Sequence, residues 1–395
     1  MTQTPDENPF NVPLGDLWHD VPLFREIQRV LLSSSGPVNW ELARQVGIAS
    51  ASWGTPDPEA TDDDRRGLED AVRVAELRVA DFTLLEPPRD LARVRAVRRG
   101  TWVGQTLEGL RPVLEPAASK IGEAVARAQA EALPEAAQAQ GMTQLLGQLS
   151  PLLLGAQVGS VLGSLAQQVL GQYDVAIPRP GDAGDLLFVV PNLAAFERDW
   201  SLDPTEFRTW IAIHEVTHRF EFARPWTLAR FREIVEDYTA TLELDVEGLR
   251  ERLRSLDPSN PQAMQEMLGS DEGLFGPVLD DEQRLKLARI QAFMGAAEGY
   301  GDHVAHALGA ELLSTYGRIE EAMRRYREGE RVDPVLERLL GIEVERDRYR
   351  LGRAFCDVVV EQTEEAVLAR MWSDADSLPS LPELEEPRLW LARMA

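Results

Sequence analysis

The sequence predicts a mainly α-helical protein with a small β element, on three observations. Apolar residues recur at helical spacing through most of the chain, a single short run has the β-branched composition of a strand, and Gly/Pro/Ser punctuation separates the helical stretches. A chain of 395 residues with 44% hydrophobic content is long enough to bury a large core. The formal net charge of -25, from 41 basic and 66 acidic residues, repels phosphate backbones and anionic headgroups. No nucleic-acid partner is expected.

Residues 1–20 are rich in Pro, Asn and Asp and read as a flexible lead-in. They show no basic segment followed by an apolar one, and the chain has a single cysteine, Cys356, so a cytoplasmic location is expected. Residues 21–173 form a helical region, with apolar periodicity in PLFREIQRVLLSS, DDRRGLEDAVRVAELRVADFTLL and SKIGEAVARAQAEAL. Its last part, from Ala136 to Tyr173, holds no charged residue and contains LLLGAQVGSVLGSLAQQVLG. Gly155, Gly159 and Gly163 make a ladder of small residues that would let two helices in lipid approach closely. Interspersed glutamines, Pro151 and the lack of a basic flank argue instead for a helical hairpin packed inside the protein, and no membrane span is expected.

Residues 174–316 hold the one convincing strand, DLLFVVPN, closed by Pro191 and Asn192, followed by further helices with breaks at LDPSNPQ and GSDEGLFGPVLDD. ARPW reads as a turn that packs Trp226 on the core. Residues 317–395 form a C-terminal helical region whose charge runs are solvated faces, with Cys356 in the apolar setting of a core residue.

The chemistry is concentrated in IAIHEVTHRFEF, residues 211–222. Asp203 as N-cap, Pro204 at the first helical position and Glu206 reaching back from the third start a helix that Arg224-Pro225 ends near Phe222. Phe207, Trp210, Ile211, His214, Thr217, His218 and Glu221 then share one inward face. Two imidazoles four residues apart can both reach one Zn²⁺ at about 2.0–2.1 Å, and Glu215 beside the first can take a proton from water. A pair of buried, hydrogen-bonded histidines is the plain alternative.

The other histidines are His19, His303 and His306, the last two in QAFMGAAEGYGDHVAHALGAEL. There Glu298 and Asp302 stand one helical turn apart on a common face. Glu298 is the expected third ligand, and Asp302 the carboxylate that accepts the other N–H of a liganding histidine. Asp302, His303 and His306 are the alternatives for the third ligand.

HEVTH followed by E-x-x-x-D on a later helix resembles the gluzincin arrangement of thermolysin-like zinc peptidases. PLFREIQRVLLSSSGPVNWELA, LFVVPNLAAFERDWSLDPTEFRTWIAIHEVTHRFEFARPW, EGYGDHV, GIEVERDRYRLGRAF and MWSDADSLPSLPELEEPRLWLARM resemble the zincin-like type 2 metallopeptidase family. That group consists largely of actinobacterial hydrolases, some associated by label with the biosynthesis of a deazaflavin cofactor. The resemblance covers nearly the whole chain. It implies a zincin-like metallopeptidase core embedded in a helical bundle, Zn²⁺ as cofactor, His214 and His218 as ligands, Glu215 as general base, and a peptide or small amide as substrate.

No counterpart to the oxyanion-stabilising residues of thermolysin is evident. Tyr300 and His303 are candidates by proximity, against plainer readings as a packing aromatic and a solvated helix residue. The strand DLLFVV could offer its edge to an extended substrate or be an ordinary sheet strand. A non-catalytic zincin fold, with a structural metal or a partner-binding surface, is the rival from another class. A small-amide hydrolase of cofactor metabolism is a third reading. Nothing in the sequence specifies an oligomer.

Overall fold

Local capping signals set several of the helix starts in the computed structural model, which describes residues 36–132, 140–174, 177–178, 184–241, 280–328 and 347–395. The lead-in, PLFREIQRVLLSS, LDPSNPQ and most of GSDEGLFGPVLDD lie outside them. Asn39 caps α1 (Trp40–Ala51) by accepting from Leu42 N at 2.9 Å. Thr61 and Asp64 form a reciprocal capping box on α2 (Asp62–Thr83). Then come β1 (Arg93–Val97), α3 (Arg99–Ala132), α4 (Gln140–Ala166), β2 (Asp185–Val189), α5 (Val190–Asp199) and α6 (Pro204–Phe222). The remainder is α7 (Thr227–Ala240), α8 (Asp281–Leu312), α9 (Tyr316–Glu328), α10 (Asp347–Gln362), α11 (Glu365–Leu368), a 3₁₀ turn (Ala369–Trp372), α12 (Leu381–Glu385) and α13 (Pro387–Met394). The described protein is thus mainly helical with a small β element, as the periodicity predicts.

The two strands pair in parallel, from Arg93 opposite Asp185 to Val97 opposite Val189. β1 was not expected: RVRAV lies inside the region 21–173 read as helical, and DLLFVVPN was the one strand expected. In the sheet Arg93 and Arg95 share one face and reach Asp185 at 2.8 and 3.3 Å, while Val94 and Ala96 on the other are half-buried against the core. On its other side β2 meets the segment before it, Val189 N donating to Leu170 O at 2.9 Å and Phe188 bridging Gly171. Both edges of β2 are therefore covered, and the sheet-strand reading replaces that of a strand edge open to substrate.

Within the uncharged, glycine-rich stretch, residues 140–166 form one continuous helix, α4, rather than a hairpin. Its glycines are the surface on which α1 lies. Added Cβ atoms at Gly155 and Gly159 would stand 2.4 Å from the carbonyl oxygens of Asn39 and Ala43, and one at Gly163 2.4 Å from Ser50 Cβ. Close backbone approach within the protein explains the ladder. Among the described residues, no helix is long and apolar enough to cross a membrane.

One buried apolar cluster runs from Ala43 to Trp390 and includes Cys356. Trp226 stacks on Trp372 at 6.2 Å, so the ARPW turn packs on the core as expected. Helix α6 crosses the centre with α2 on one side and α8 on another. Every residue from Trp210 to Phe222 is buried, the predicted inward face and the opposite one alike.

At the start of α6, Asp203 accepts from Glu206 N at 2.9 Å, but Glu206 does not complete a capping box. Its carboxylate instead accepts from Ser314 N and Thr315 N, at 3.2 and 2.8 Å, and from both hydroxyls. These bonds, led by that of the Ser314 hydroxyl, hold its pKa at about 2. They tie the start of α6 to the turn after α8. Because the anion is the bonded form, the stabilisation is present above the ordinary carboxylate pKa and is lost as pH falls from about 4.5 towards 2. Calorimetry of Glu206→Gln should show a lower Tm than wild type at pH 7 and a smaller gap at pH 3. An equal gap at both would refute this role.

Candidate metal centre

Two successive turns of α6 present His214 and His218, their rings 4.6 Å apart and nearly perpendicular. Trp210 stacks on the first ring at 5.9 Å and Phe222 on the second at 5.7 Å, which fixes both planes. Helix α8 runs antiparallel to α6, with Gly301 at the histidines and Gly309 at Trp210. A Cβ at Gly301 would lie 2.8 Å from His218 Cε1 and 3.4 Å from His214 Nε2, so only glycine lets the helices come this close.

That approach brings Glu298 onto both rings. Its Oε1 is 3.6 Å from His214 Nε2 and its Oε2 is 3.6 Å from His218 Nε2. The three donor atoms all lie within 4.8 Å of one another. Both Nε2 atoms are buried and make no hydrogen bond. Two buried nitrogens without hydrogen bonds, aimed at one carboxylate, make an N₂O donor set that fits Zn²⁺.

The electrostatics point the same way. Burial opposes charge on the rings, yet Asp302 and Glu298 raise the pKa of His214 to about 9, and Glu221 and Glu298 raise that of His218 well above its ordinary value. Glu298 is buried too, but the two imidazoles hold its carboxyl well below the usual range. Carboxylates and imidazoles so arranged attract positive charge, which a bound cation supplies in place of protons.

Glu215 is 1% exposed and is held from an unexpected quarter. Its Oε2 accepts from Gln172 N at 2.9 Å and Tyr173 N at 3.0 Å, while Oε1 has no hydrogen bond. Gly171 makes room for the carboxylate, since a Cβ there would stand 2.3 Å from its Cδ. Trp102 Nε1 anchors the same segment by donating to Gly171 O at 3.0 Å. Burial, then the nearby charge of Asp174, lifts the Glu215 pKa to about 7.

The carboxylate behind a ring is Glu221, whose Oε2 is 2.8 Å from His218 Nδ1. Asp302, expected in that kind of role, lies instead with its Oδ1 3.5 Å from His214 Nε2, on the side that would face an ion. Tyr300 and His303, the proximity candidates for oxyanion stabilisation, are not brought to the cluster. The 3.6-residue period turns Tyr300 to the face of α8 opposite Glu298 and Asp302, and His303 to the side. Tyr300 is fully buried, edge-on to Trp372 at 5.9 Å, and burial pushes its phenol pKa well up. His303 bridges Asp357 and Glu365 at 2.7 and 2.8 Å; despite burial, these carboxylates raise its pKa to about 9. It joins α8 to α10 and α11 and is neither solvated nor at the cluster. His306, an alternative third ligand, bonds the Tyr316 hydroxyl and pairs with Glu320 at 3.0 Å.

Gly171, Gln172, Tyr173, Glu221 and Gly301 complete the site. Glu221 was visible on the predicted inward face of α6. The Gly171 segment carries no signal beyond ending the uncharged run.

The profile of the zincin-like metallopeptidases matches residues 38–391. A crystal structure from Chloroflexus aurantiacus, described as that of a candidate hydrolase with a novel fold, is similar at a TM-score of 0.64 and 28% identity, over 90% of this chain and 98% of that one. No curated protein matches the chain. With the family's match running from α1's approach to the last helix, the chain belongs to the zincin-like metallopeptidases.

Proposed function

We propose that this protein is a zinc-dependent hydrolase that cleaves a peptide or small amide bond, with Glu215 as its general base. The observation that carries this reading is the state of Glu215: one oxygen fixed by two backbone N–H groups, the other unbonded, beside a buried His/His/Glu donor set. His214, His218 and Glu298 would hold the ion. A bound zinc supplies Lewis acidity that activates water and polarises a carbonyl.

The chain's own residues do the rest. Glu215 Oε1 accepts the proton of the attacking water and returns it to the leaving nitrogen, and a pKa of about 7 suits both transfers. Gln172 and Tyr173 keep the carboxylate from turning away. Glu221 accepts a hydrogen bond from the Nδ1–H of His218, which fixes the tautomer and leaves the Nε2 lone pair facing the ion. Apolar packing around the cluster limits water and strengthens each of these interactions.

Elemental analysis of the purified wild type beside His218→Ala and Glu298→Ala tests the reading. One zinc per chain is expected in the wild type and none in either variant. A wild type that takes up no zinc on incubation with it would overturn the proposal.

A further inference from the structure

The turn that seats the base holds a second carboxylate, and no step of the proposed reaction uses it. Four successive residues each aim a backbone N–H at an acid. Gln172 N and Tyr173 N donate to Oε2 of Glu215 at 2.9 and 3.0 Å, while Leu170 N and Gly171 N, the latter at 3.3 Å, donate to Oδ2 of Asp174. Gly171 touches both acids: its N–H bonds Asp174, and a Cβ on it would stand 2.3 Å from the unbonded Oε1 of Glu215. Tyr173, the residue before Asp174, packs on the His218 ring at 5.8 Å. The turn thus fixes Asp174 and the base together against the zinc ligands.

Asp174 stands on the solvent side of that cluster. It is exposed, whereas Glu215 is 1% exposed. The charges of His214 and Glu298 act on it, and these are the donors whose side chains keep some surface, 5% and 14%, where His218 has none. Burial, and then the charge of Glu298, nonetheless raise its pKa. A residue that is open to solvent yet enclosed by protein lines a recess.

The backbone satisfies Oδ2 and leaves Oδ1 without a hydrogen bond among the described residues, and no described Lys or Arg pairs with the carboxylate. An enclosed carboxylate near two others is costly unless a cation meets it. A protonated amine offers both the N–H donors and the charge.

We infer that Asp174 is a specificity-determining residue that binds a protonated amine of the substrate next to the bond being cleaved. The inference rests on the zinc-hydrolase reading and narrows its substrates to peptides or amides with a cationic nitrogen beside that bond. The nitrogen is a free N-terminus or a basic side chain, the same chemistry from two sources. A substrate with a carboxylate in that place is repelled.

Amino-acid hydroxamates chelate zinc and set the rest of the amino acid beside it. Leucine hydroxamate carries a free α-amine, Nα-acetyl-lysine hydroxamate only a side-chain amine, and N-acetyl-leucine hydroxamate neither. Titration calorimetry gives the Kd of each for the zinc-loaded wild type and for Asp174→Asn, whose side-chain carbonyl can still accept from Leu170 N and Gly171 N. An amine-bearing probe should bind the wild type at least about tenfold more tightly than the uncharged one, and Asp174→Asn should bring the affinities together. Whichever amine carries the preference names the source. Asp174→Ser repeats the test if the asparagine variant does not fold. Equal binding of all three probes by the wild type would overturn the inference, as would a preference that survives the loss of the carboxylate. A zinc-loaded wild type that binds none of the probes would overturn the hydrolase reading itself, a separate readout.

Discussion

Replacing Glu215 with glutamine should abolish hydrolysis while leaving zinc in place. Glutamine keeps the length of the side chain, and its carbonyl can still accept from Gln172 N and Tyr173 N. It has no basic oxygen to take a proton, so the loss falls on proton transfer, a contribution of about 10²–10⁴-fold. Folding should not suffer, because the carboxylate is buried and its pKa is raised to about 7 chiefly by that burial. The comparison is turnover of a peptide library by wild type and Glu215→Gln at equal zinc content, with the Tm of each measured alongside. Equal turnover would remove Glu215 from the mechanism. Lost turnover with lost zinc would recast it as a support of the site.

Withdrawing the ion should have the largest effect on stability. A ligand that binds only the folded state at a thousand times its Kd stabilises it by about 4 kcal/mol. For a chain of this length a drop in Tm of about 5 °C follows. The cause is visible in the site: Glu298, Glu221 and Asp302 are gathered around two imidazoles in the centre of the protein, with Glu215 beside them. Without a cation their charges are balanced only by the protons the rings attract. Calorimetry with and without EDTA measures the shift, and His218→Ala should already sit near the metal-free Tm and ignore EDTA. A wild type indifferent to chelation would sink the prediction.

Helix α6 was legible in the sequence to its end residues, because its signals are local: Asp203 and Pro204 start it and Arg224-Pro225 stop it. Glu298 was legible for a related reason, since a carboxylate pair one turn apart beside the glycines of a long helix already shares a face. What sits behind those residues was not. Whether Asp302 meets Nδ1 or Nε2 depends on how α8 crosses α6, and that crossing depends on Gly301, which no periodicity marks. Tyr300 and His303 were drawn in by nearness in sequence, although a helix sends the residue two places from Glu298 to its far side and the one five places on to its flank. β1 escaped because its partner strand lies beyond two long helices. Glu206 was read as a capping residue because the competing donors, Ser314 and Thr315, are distant in the chain.

The bare position at Gly171 bears on how relatives of this protein are recognised. A five-residue pattern of two histidines and a glutamate recurs by accident in unrelated chains, and an accidental copy places no demand on any distant residue. Here the glutamate leaves space for nothing larger than hydrogen at Gly171. Glycine at that upstream position, read together with the histidine pair, is a two-part fingerprint that separates chains able to seat the base from those that only spell the motif.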